Sequence, residues 1–236
     1  MKKREVKCTV SKQHPKKGNL GTGSMQPGDC VAVDQFVVKV PGRLPNTAGK
    51  EKIDNRYTGG TIFVDLVSGF TFVKTQVSLR SGETLIVKED FENTMLAHGT
   101  NVRKYHRDNG IFVSKAWREH CDDRGQAYDF SGVGAHHQNA NAERAIKTVS
   151  YWARAMMVNA AIHWPEKGGD QSLWPFAMLY ATWLFNRLPG YDTGVTPLEL
   201  LTQQKSDHAD LRRAHVWGDP TYALDPKLQD GKKTPK

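Results

Sequence analysis

The sequence predicts an α/β fold, a five-stranded mixed sheet with helices on both faces. Three observations carry this. The run Val31-Ala32-Val33-Asp34-Gln35-Phe36-Val37-Val38 is apolar on both alternating faces, the pattern of a central strand covered on both sides. Two further runs, residues 61–67 and 70–77, are joined by Ser68-Gly69; the second alternates with period two, and together they read as an antiparallel hairpin. The remaining order is helix, strand, helix, strand and then helices. Strands first and crossovers later imply a mixed sheet with helices on both faces.

The other elements follow from local signals. Residues 1–28 are rich in Lys, Gly and Ser, carry Pro15 and Pro27, and read as a basic linker or arm. Cys8 alone cannot hold a metal, but it would suit the end of a zinc module lying upstream. Residues 41–60 are polar, with Pro41, Pro45 and Gly59-Gly60, and read as a long loop. Ser81 is the expected N-cap of a helix with Glu83 in its first turn and Val87, Phe91 and Met95 at i+4 steps; Gly99 stops it. A short strand is expected at residues 102–106, ending at Asp108. Ser114 caps a helix with Trp117 and Cys121 on one face, Gly125 ends it, and residues 127–130 form the fifth strand.

Residues 131–135, Ser-Gly-Val-Gly-Ala, form a glycine-rich loop without the Gly-Lys-Ser/Thr ending of a phosphate-binding loop. A long helix begins near His137 or Gln138 and runs to about His163. Its apolar stripe is Ala142, Ile146, Val149, Ala153, Met156, Met157 and Ala160. Residues 173–188 form a second apolar helix. Thr196-Pro197-Leu198-Glu199 is a capping box with Pro at the first helical position. The chain after about Gln203 is basic and weakly patterned, with a short strand at Thr221-Tyr222-Ala223-Leu224. The organisation expected is an arm over 1–28, a core over 29–203 and a basic C-terminal extension over 204–236.

The formal net charge of +8 and pI of about 9.3 favour a polyanionic partner, although much of the excess lies at the two ends. Three cysteines without a Cys-x-x-Cys pair make neither a disulfide framework nor a self-contained zinc site, and a reducing, intracellular setting fits them best. No apolar run approaches the length of a membrane helix, and no apolar segment follows the basic start to make a secretory signal.

Three carboxylates stand at addresses that suit phosphodiester chemistry. Cleavage and strand transfer need an activated oxygen nucleophile and charge relief at phosphorus, which two Mg²⁺ ions roughly 4 Å apart supply. Mg²⁺ takes hard oxygen ligands. Asp34 sits in the central strand, Asp108 at a strand end before Asn109-Gly110, and Glu143 early in the long helix. At about 100° per residue, Glu143, Lys147 and Arg154 share one stripe beside the apolar one, so that cations aimed at phosphates would flank a metal-binding carboxylate. On spacing alone the blander reading is favoured, an ordinary i,i+4 Glu–Lys pair worth ~0.3 kcal/mol.

Several ordered motifs shift that balance. Arg107-Asp108-Asn109-Gly110 resembles the Ser-Asp-Asn-Gly around the second Asp of the integrase catalytic core of retroelements. Gln138-Asn139-Ala140-Asn141-Ala142-Glu143-Arg144 resembles the Gln-Asn-Gly-Val-Ala-Glu-Arg around that family's Glu. The 34 residues between Asp108 and Glu143 match the family's habitual gap closely. Leu173-Trp174 through Asn186-Arg187-Leu188-Pro189, then Thr196-Pro197-Leu198-Glu199-Leu200, then residues 211–218, resemble downstream motifs of the copia type of long-terminal-repeat retrotransposon. The likeness spans about residues 30–226.

The resemblance implies a ribonuclease-H-like fold and a metal-dependent polynucleotidyl transferase. Such an enzyme processes retroelement DNA ends and joins them to target DNA with Mg²⁺ or Mn²⁺. By position it makes Asp34, Asp108 and Glu143 the catalytic and metal-binding triad. It places Lys147 on DNA ends and Asn139 in a mobile loop; Gln138, Arg144 and Arg154 are further DNA-binding candidates of this reading. It also implies a homo-oligomer, action in the nucleus, no membrane, and a zinc module and reverse transcriptase elsewhere in a parent polyprotein. Asp65 is the rival first carboxylate. His106 and the pair His136-His137 are further candidate ligands or DNA contacts. The sequence departs from the family at His136-His137 and at Ala140. Two alternatives remain open, a decayed or domesticated copy that binds DNA without catalysis and a hydrolytic nuclease of the same fold.

Overall fold

The computed structural model describes residues 25–45, 55–107, 112, 114–130, 139–166, 168–190 and 193–220. Expectations placed on Cys8, Asp108, His136-His137, Gln138, the glycine-rich loop and the 221–224 strand lie outside these residues.

The expected five-stranded mixed sheet is what the described chain builds. Its strands are β1 (Val31–Gly42), β2 (Tyr57–Asp65), β3 (Thr71–Gln76), β4 (Lys104–Arg107) and β5 (Ala127–Phe130), in the order β3-β2-β1-β4-β5. The β1–β2 and β2–β3 pairs are antiparallel, and the β1–β4 and β4–β5 pairs are parallel. The hairpin turns at Ser68-Gly69 as the sequence implies, with Gly69 at positive φ.

The first two strands are longer than their apolar runs. Gly59 and Gly60, expected in a loop, lie inside β2 opposite Val37 and Phe36. A Cβ at Gly59 would come within 2.1 Å of the Phe36 carbonyl, and one at Gly60 within 2.7 Å of the Phe36 ring. Glycine there marks close packing rather than a break. Strand β4 likewise runs one residue further than expected, to Arg107.

Among the described residues the helices are α1 (Ser81–Ala97), α2 (Lys115–Asp123), α3 (Ala140–His163), α4 (Trp174–Arg187), α5 (Pro197–Thr202) and α6 (Ala209–Arg212), and α1 to α4 pack against the sheet. Ser114 caps α2 as expected, accepting from the Trp117 amide. Ser81 does not cap α1; it is the first helical residue, and the N-cap, Arg80, makes no side-chain cap. Glu83 reaches back instead to the preceding loop, its carboxylate accepting from the amides of Val77 (2.9 Å) and Ser78 (2.6 Å). Helix α3 is described from Ala140, with Asn139 as its N-cap; the expected start at His137 or Gln138 lies outside the described residues. No described helix is long and apolar enough to cross a membrane.

Strand alternation divides the core in two. Val31 and Val33 point to one side with Phe63, Phe91, Tyr105 and Trp117, under α1 and α2. Ala32 and Phe36 point to the other with Ile62, Ala142, Ala145, Val149, Ala177 and Ala181, under α3 and α4. Alanines on both helices let α3 and α4 approach closely. Asn186 of α4 locks onto the sheet by exchanging two hydrogen bonds with the backbone of Thr71. Part of the C-terminal segment is docked too, with Trp217 against the Tyr180 ring and the Tyr180 hydroxyl donating to the His215 carbonyl.

A buried polar network sits beneath α1. Lys88 is fully buried, and its ammonium reaches Glu92 (2.8 Å), Gln126 (2.7 Å) and His120 Nδ1 (2.8 Å). With Nδ1 accepting from Lys88, His120 Nε2–H donates to Glu89. Burial pushes the Lys88 ammonium down. Burial also opposes the Glu92 charge, but hydrogen bonds from Lys88, Tyr105 and Gln126 outweigh it and hold that carboxyl below its usual range. Removing one partner strands the other. We therefore expect Lys88→Met to cost about 3–5 kcal/mol in urea denaturation and the Lys88→Met/Glu92→Leu pair to recover much of it.

The predicted capping box is complete. Thr196 Oγ1 accepts from the Glu199 amide, and Glu199 accepts from the amides of Thr196 (3.0 Å) and Ser206 (2.9 Å). Those backbone hydrogen bonds, Thr196 first, lower the Glu199 carboxyl to about 2. A depressed folded-state value means that the stabilisation is full above the unfolded value of about 4.3 and is lost as pH falls towards 2. Hydrogen exchange at the Thr196 and Ser206 amides should lose protection across that window in the wild type, and Glu199→Gln should abolish the pH dependence.

Candidate active site

Strand β1 supplies the first carboxylate. Asp34 is even-numbered like Ala32 and Phe36, so it lies on the α3 side of the sheet, half-buried, with Oδ1 accepting from the Gln35 amide. Gln35 points to the other side, where its amide nitrogen donates to Thr84 of α1 (2.9 Å). The strand is thus braced from the face opposite the carboxylate.

Helix α3 supplies the second. Its N-cap, Asn139, is 2% exposed and does not cap the helix with its side chain. The Asn139 side-chain amide instead donates to the Val33 carbonyl at 3.2 Å, one residue before Asp34. Glu143 follows one turn later, about 5–6 Å up the helix axis, half-buried beside the inward-facing Ala142 and Ala145. A carboxylate in the first turn is favoured by the positive end of the helix dipole. Arg144, Lys147 and Arg154 are exposed on α3, on the side away from its buried stripe.

One expectation changes, and the rival carboxylate finds its place. Asn139, expected in a loop against DNA, is an internal strut between helix and strand. Asp65 lies on the other side of the sheet, with Phe63 in the α1 core, and is fully buried. Its carboxylate accepts from the amides of Gly28 (2.8 Å) and Ser68 (2.7 Å) and from the Ser68 hydroxyl (2.6 Å). It closes the β2–β3 turn and ties down the start of the core. Gly28 must be glycine there, because it has φ +89° and a Cβ would come within 2.2 Å of the Asn101 carbonyl.

Asp108 lies outside the described residues. The strand that leads to it is well fixed: Arg107, the last residue of β4, pairs with Val33 in parallel register, so the chain leaves the sheet alongside Asp34. Arg107 points to the α2 side and is completely buried, its guanidinium over the rings of Phe130 (4.4 Å), Tyr128 (4.6 Å) and Trp117 (5.5 Å). Burial lowers its pKa to about 10. This cation is part of the core.

Sequence reasoning missed one cluster on the site's side of β4 and β5. Asp129 of β5 accepts from Lys104 (2.6 Å) and pairs with His106 Nδ1 (2.6 Å), both on β4. Desolvation opposes the Asp129 charge, but these hydrogen bonds prevail and hold the carboxyl below its usual range. Only the sheet register, which sets Asp129 opposite His106, reveals the cluster. Among the described residues no group of three or more His, Cys, Asp or Glu side chains forms a metal cage.

No family model matches the sequence. The fold has solved counterparts. The catalytic core domain of HTLV-2 integrase, solved in complex with magnesium in a trimeric form, is similar at TM-score 0.51 and 17% identity, over 75% of this chain and 97% of that one. The catalytic core domain of BIV integrase is similar at TM-score 0.52 and 16% identity, over 75% and 95%. A chain of the simian T-cell lymphotropic virus intasome, in complex with a PP2A regulatory subunit, is similar at TM-score 0.55 and 15% identity, over 90% of this chain and 62% of that one. The chain therefore has the ribonuclease-H-like fold of integrase catalytic cores.

The strut makes a prediction. Asn139→Ala should lower stability by about 1–2 kcal/mol. Asn139→Asp should cost more, because a carboxylate oxygen would face the Val33 carbonyl in place of a donor. Thermal denaturation of the two variants checks the order.

Proposed function

We propose that this chain is an integrase-type polynucleotidyl transferase that processes the DNA ends of a retroelement, of the copia type by motif resemblance, and joins them to target DNA. The observation that supports this most is that Asp34 and helix α3, which carries Glu143, lie on one face of a ribonuclease-H-like sheet, with the start of the helix tied to the strand by the hydrogen bond from Asn139 to Val33. Asp108, which follows β4 directly, completes the proposed triad. These are three hard oxygen donors, the set that Mg²⁺ or Mn²⁺ takes. The opposite face of Asp65 and its three hydrogen bonds support Asp34 over it as the first carboxylate.

Asp34, Asp108 and Glu143 would hold the divalent ions, two by the family resemblance, and the ions would supply nucleophile activation and charge relief at the leaving oxygen. The protein's own part is positioning. The buried strand fixes Asp34, the strut fixes the helix that carries Glu143, and the exposed Arg144, Lys147 and Arg154 offer phosphate contacts along the same helix. In this reading the protein works as a homo-oligomer on DNA in the nucleus.

The test is a labelled duplex bearing the element's terminal sequence, incubated with target DNA and Mn²⁺ or Mg²⁺. Joined products are expected. Nicking without joining would indicate a hydrolytic nuclease, and binding alone a decayed copy. Asp34→Asn and Glu143→Gln should each reduce chemistry at least about 100-fold while leaving DNA binding and thermal stability near wild type. Asp65→Asn should do the reverse, lowering the melting temperature while the folded fraction retains its rate. An active Glu143→Gln enzyme would overturn the assignment.

A further inference from the structure

The sheet face opposite Asp34 holds a cation without an acceptor. Arg107 is fully buried, and among the described residues neither its Nε nor either terminal nitrogen has a hydrogen-bond partner. A guanidinium carries five N–H donors in a planar fork. Here it meets the rings of Phe130, Tyr128 and Trp117, at 4.4, 4.6 and 5.5 Å. Ring faces attract the charge, but they do not accept hydrogen bonds as oxygens do. Asp129 lies between two of those rings on β5, yet it is turned to the other face and engaged by Lys104 and His106. By contrast, the buried Lys88 and Glu92 satisfy each other.

The surroundings leave a short way out. Strand β5 ends the sheet order, so Tyr128 and Phe130 lie at an edge, and both are only half-buried. On α2 the exposed Arg118 holds its own guanidinium 5.7 Å from the same Phe130 ring. Two like charges thus flank one aromatic ring, one sealed and one in solvent. Arg107 also directly precedes Asp108, at the end of the strand that leaves the sheet alongside Asp34. The motif that this stretch resembles has serine here, a side chain too short to cross the rings. The fork of an arginine matches phosphate oxygens two at a time, and a phosphate supplies the acceptors that the rings lack.

We propose that Arg107 is a phosphate ligand held in store: when DNA binds, its guanidinium leaves the three rings past Phe130 and pairs with a backbone phosphate beside Arg118. The inference rests on the DNA-joining reading of the site. The stored state keeps a strong phosphate contact off the surface of the free protein and commits it when DNA lies across the end of β4.

Two measurements on the full chain test this with a blunt duplex and no added divalent metal. Nuclear magnetic resonance reads the wild type directly. The Nε–H signal of Arg107, identified by its loss in Arg107→Lys, should be displaced by the rings in the free protein and lose that displacement at saturating duplex. Fluorescence anisotropy across a salt series reads the contact itself. Arg107→Met should bind about fivefold more weakly, with the slope of log affinity against log salt reduced by about 0.9, the share of one phosphate. It should melt at or above the wild-type temperature, because an apolar side chain replaces an unpaired buried charge. Arg107→Lys should keep the slope and lose affinity, since a point charge replaces the fork. A signal that keeps its ring displacement at saturating duplex overturns the proposal. So does an Arg107→Met protein with the wild-type slope, and a lowered melting temperature alongside that slope marks a purely structural cation. These outcomes leave the DNA-joining reading intact. Inorganic phosphate that moves the signal when duplex does not assigns the cation to a free anion and overturns the proposal as well. A wild-type chain that fails to bind the duplex overturns both.

Discussion

Strand β1 is paired on both edges and covered on both faces, and the rest of the molecule is arranged by that constraint. Antiparallel β2 holds one side and parallel β4 the other. Val31 and Val33 are sealed under α1 and α2, while Ala32 and Phe36 are sealed under α3 and α4. A strand so enclosed cannot slip by one residue without exchanging its two cores. Asp34 is therefore held on one face, and only an element on that face can complete a site with it.

Helix α3 meets this condition through a single buried hydrogen bond. The side chain of Asn139 does not serve its own helix; it is donated to Val33, so the helix starts beside the strand carboxylate. Further along, the same helix turns small alanines inward and leaves Arg144, Lys147 and Arg154 exposed. The opposite side of the sheet carries no such demand. Its charged groups, Lys88, Glu92 and Arg107, are spent on internal hydrogen bonds and aromatic stacking. Burying them ties α1, α2, β4 and β5 into one block and keeps the strand that leads to Asp108 in register.

The two faces also explain why similar residue types have different fates. Asp34 and Asp65 both lie on neighbouring strands, yet their numbers differ by an odd interval and the strands are paired so that they point to opposite sides. Asp65 becomes a turn-closing acceptor for Gly28 and Ser68. Arg107 and Lys147 both flank candidate carboxylates in sequence, but one is sealed among aromatic rings and the other is exposed.

The sequence by itself determined the element order, the central strand, the hairpin, the cap at Ser114 and the box at Thr196, because each rests on contacts within a few residues. It also made Asp34 and Glu143 candidates, Glu143 through motif resemblance, since periodicity alone made it an ordinary surface residue. It misread Gly59-Gly60 as a loop and Ser81 as a cap, because a phenylalanine on the next strand and a glutamate reaching backwards decided those positions. Only the tertiary structure decided which face each carboxylate occupies, that Asn139 is a strut, and that Lys104, His106 and Asp129 meet. Those facts depend on register between segments distant in the chain, and no local pattern encodes a register.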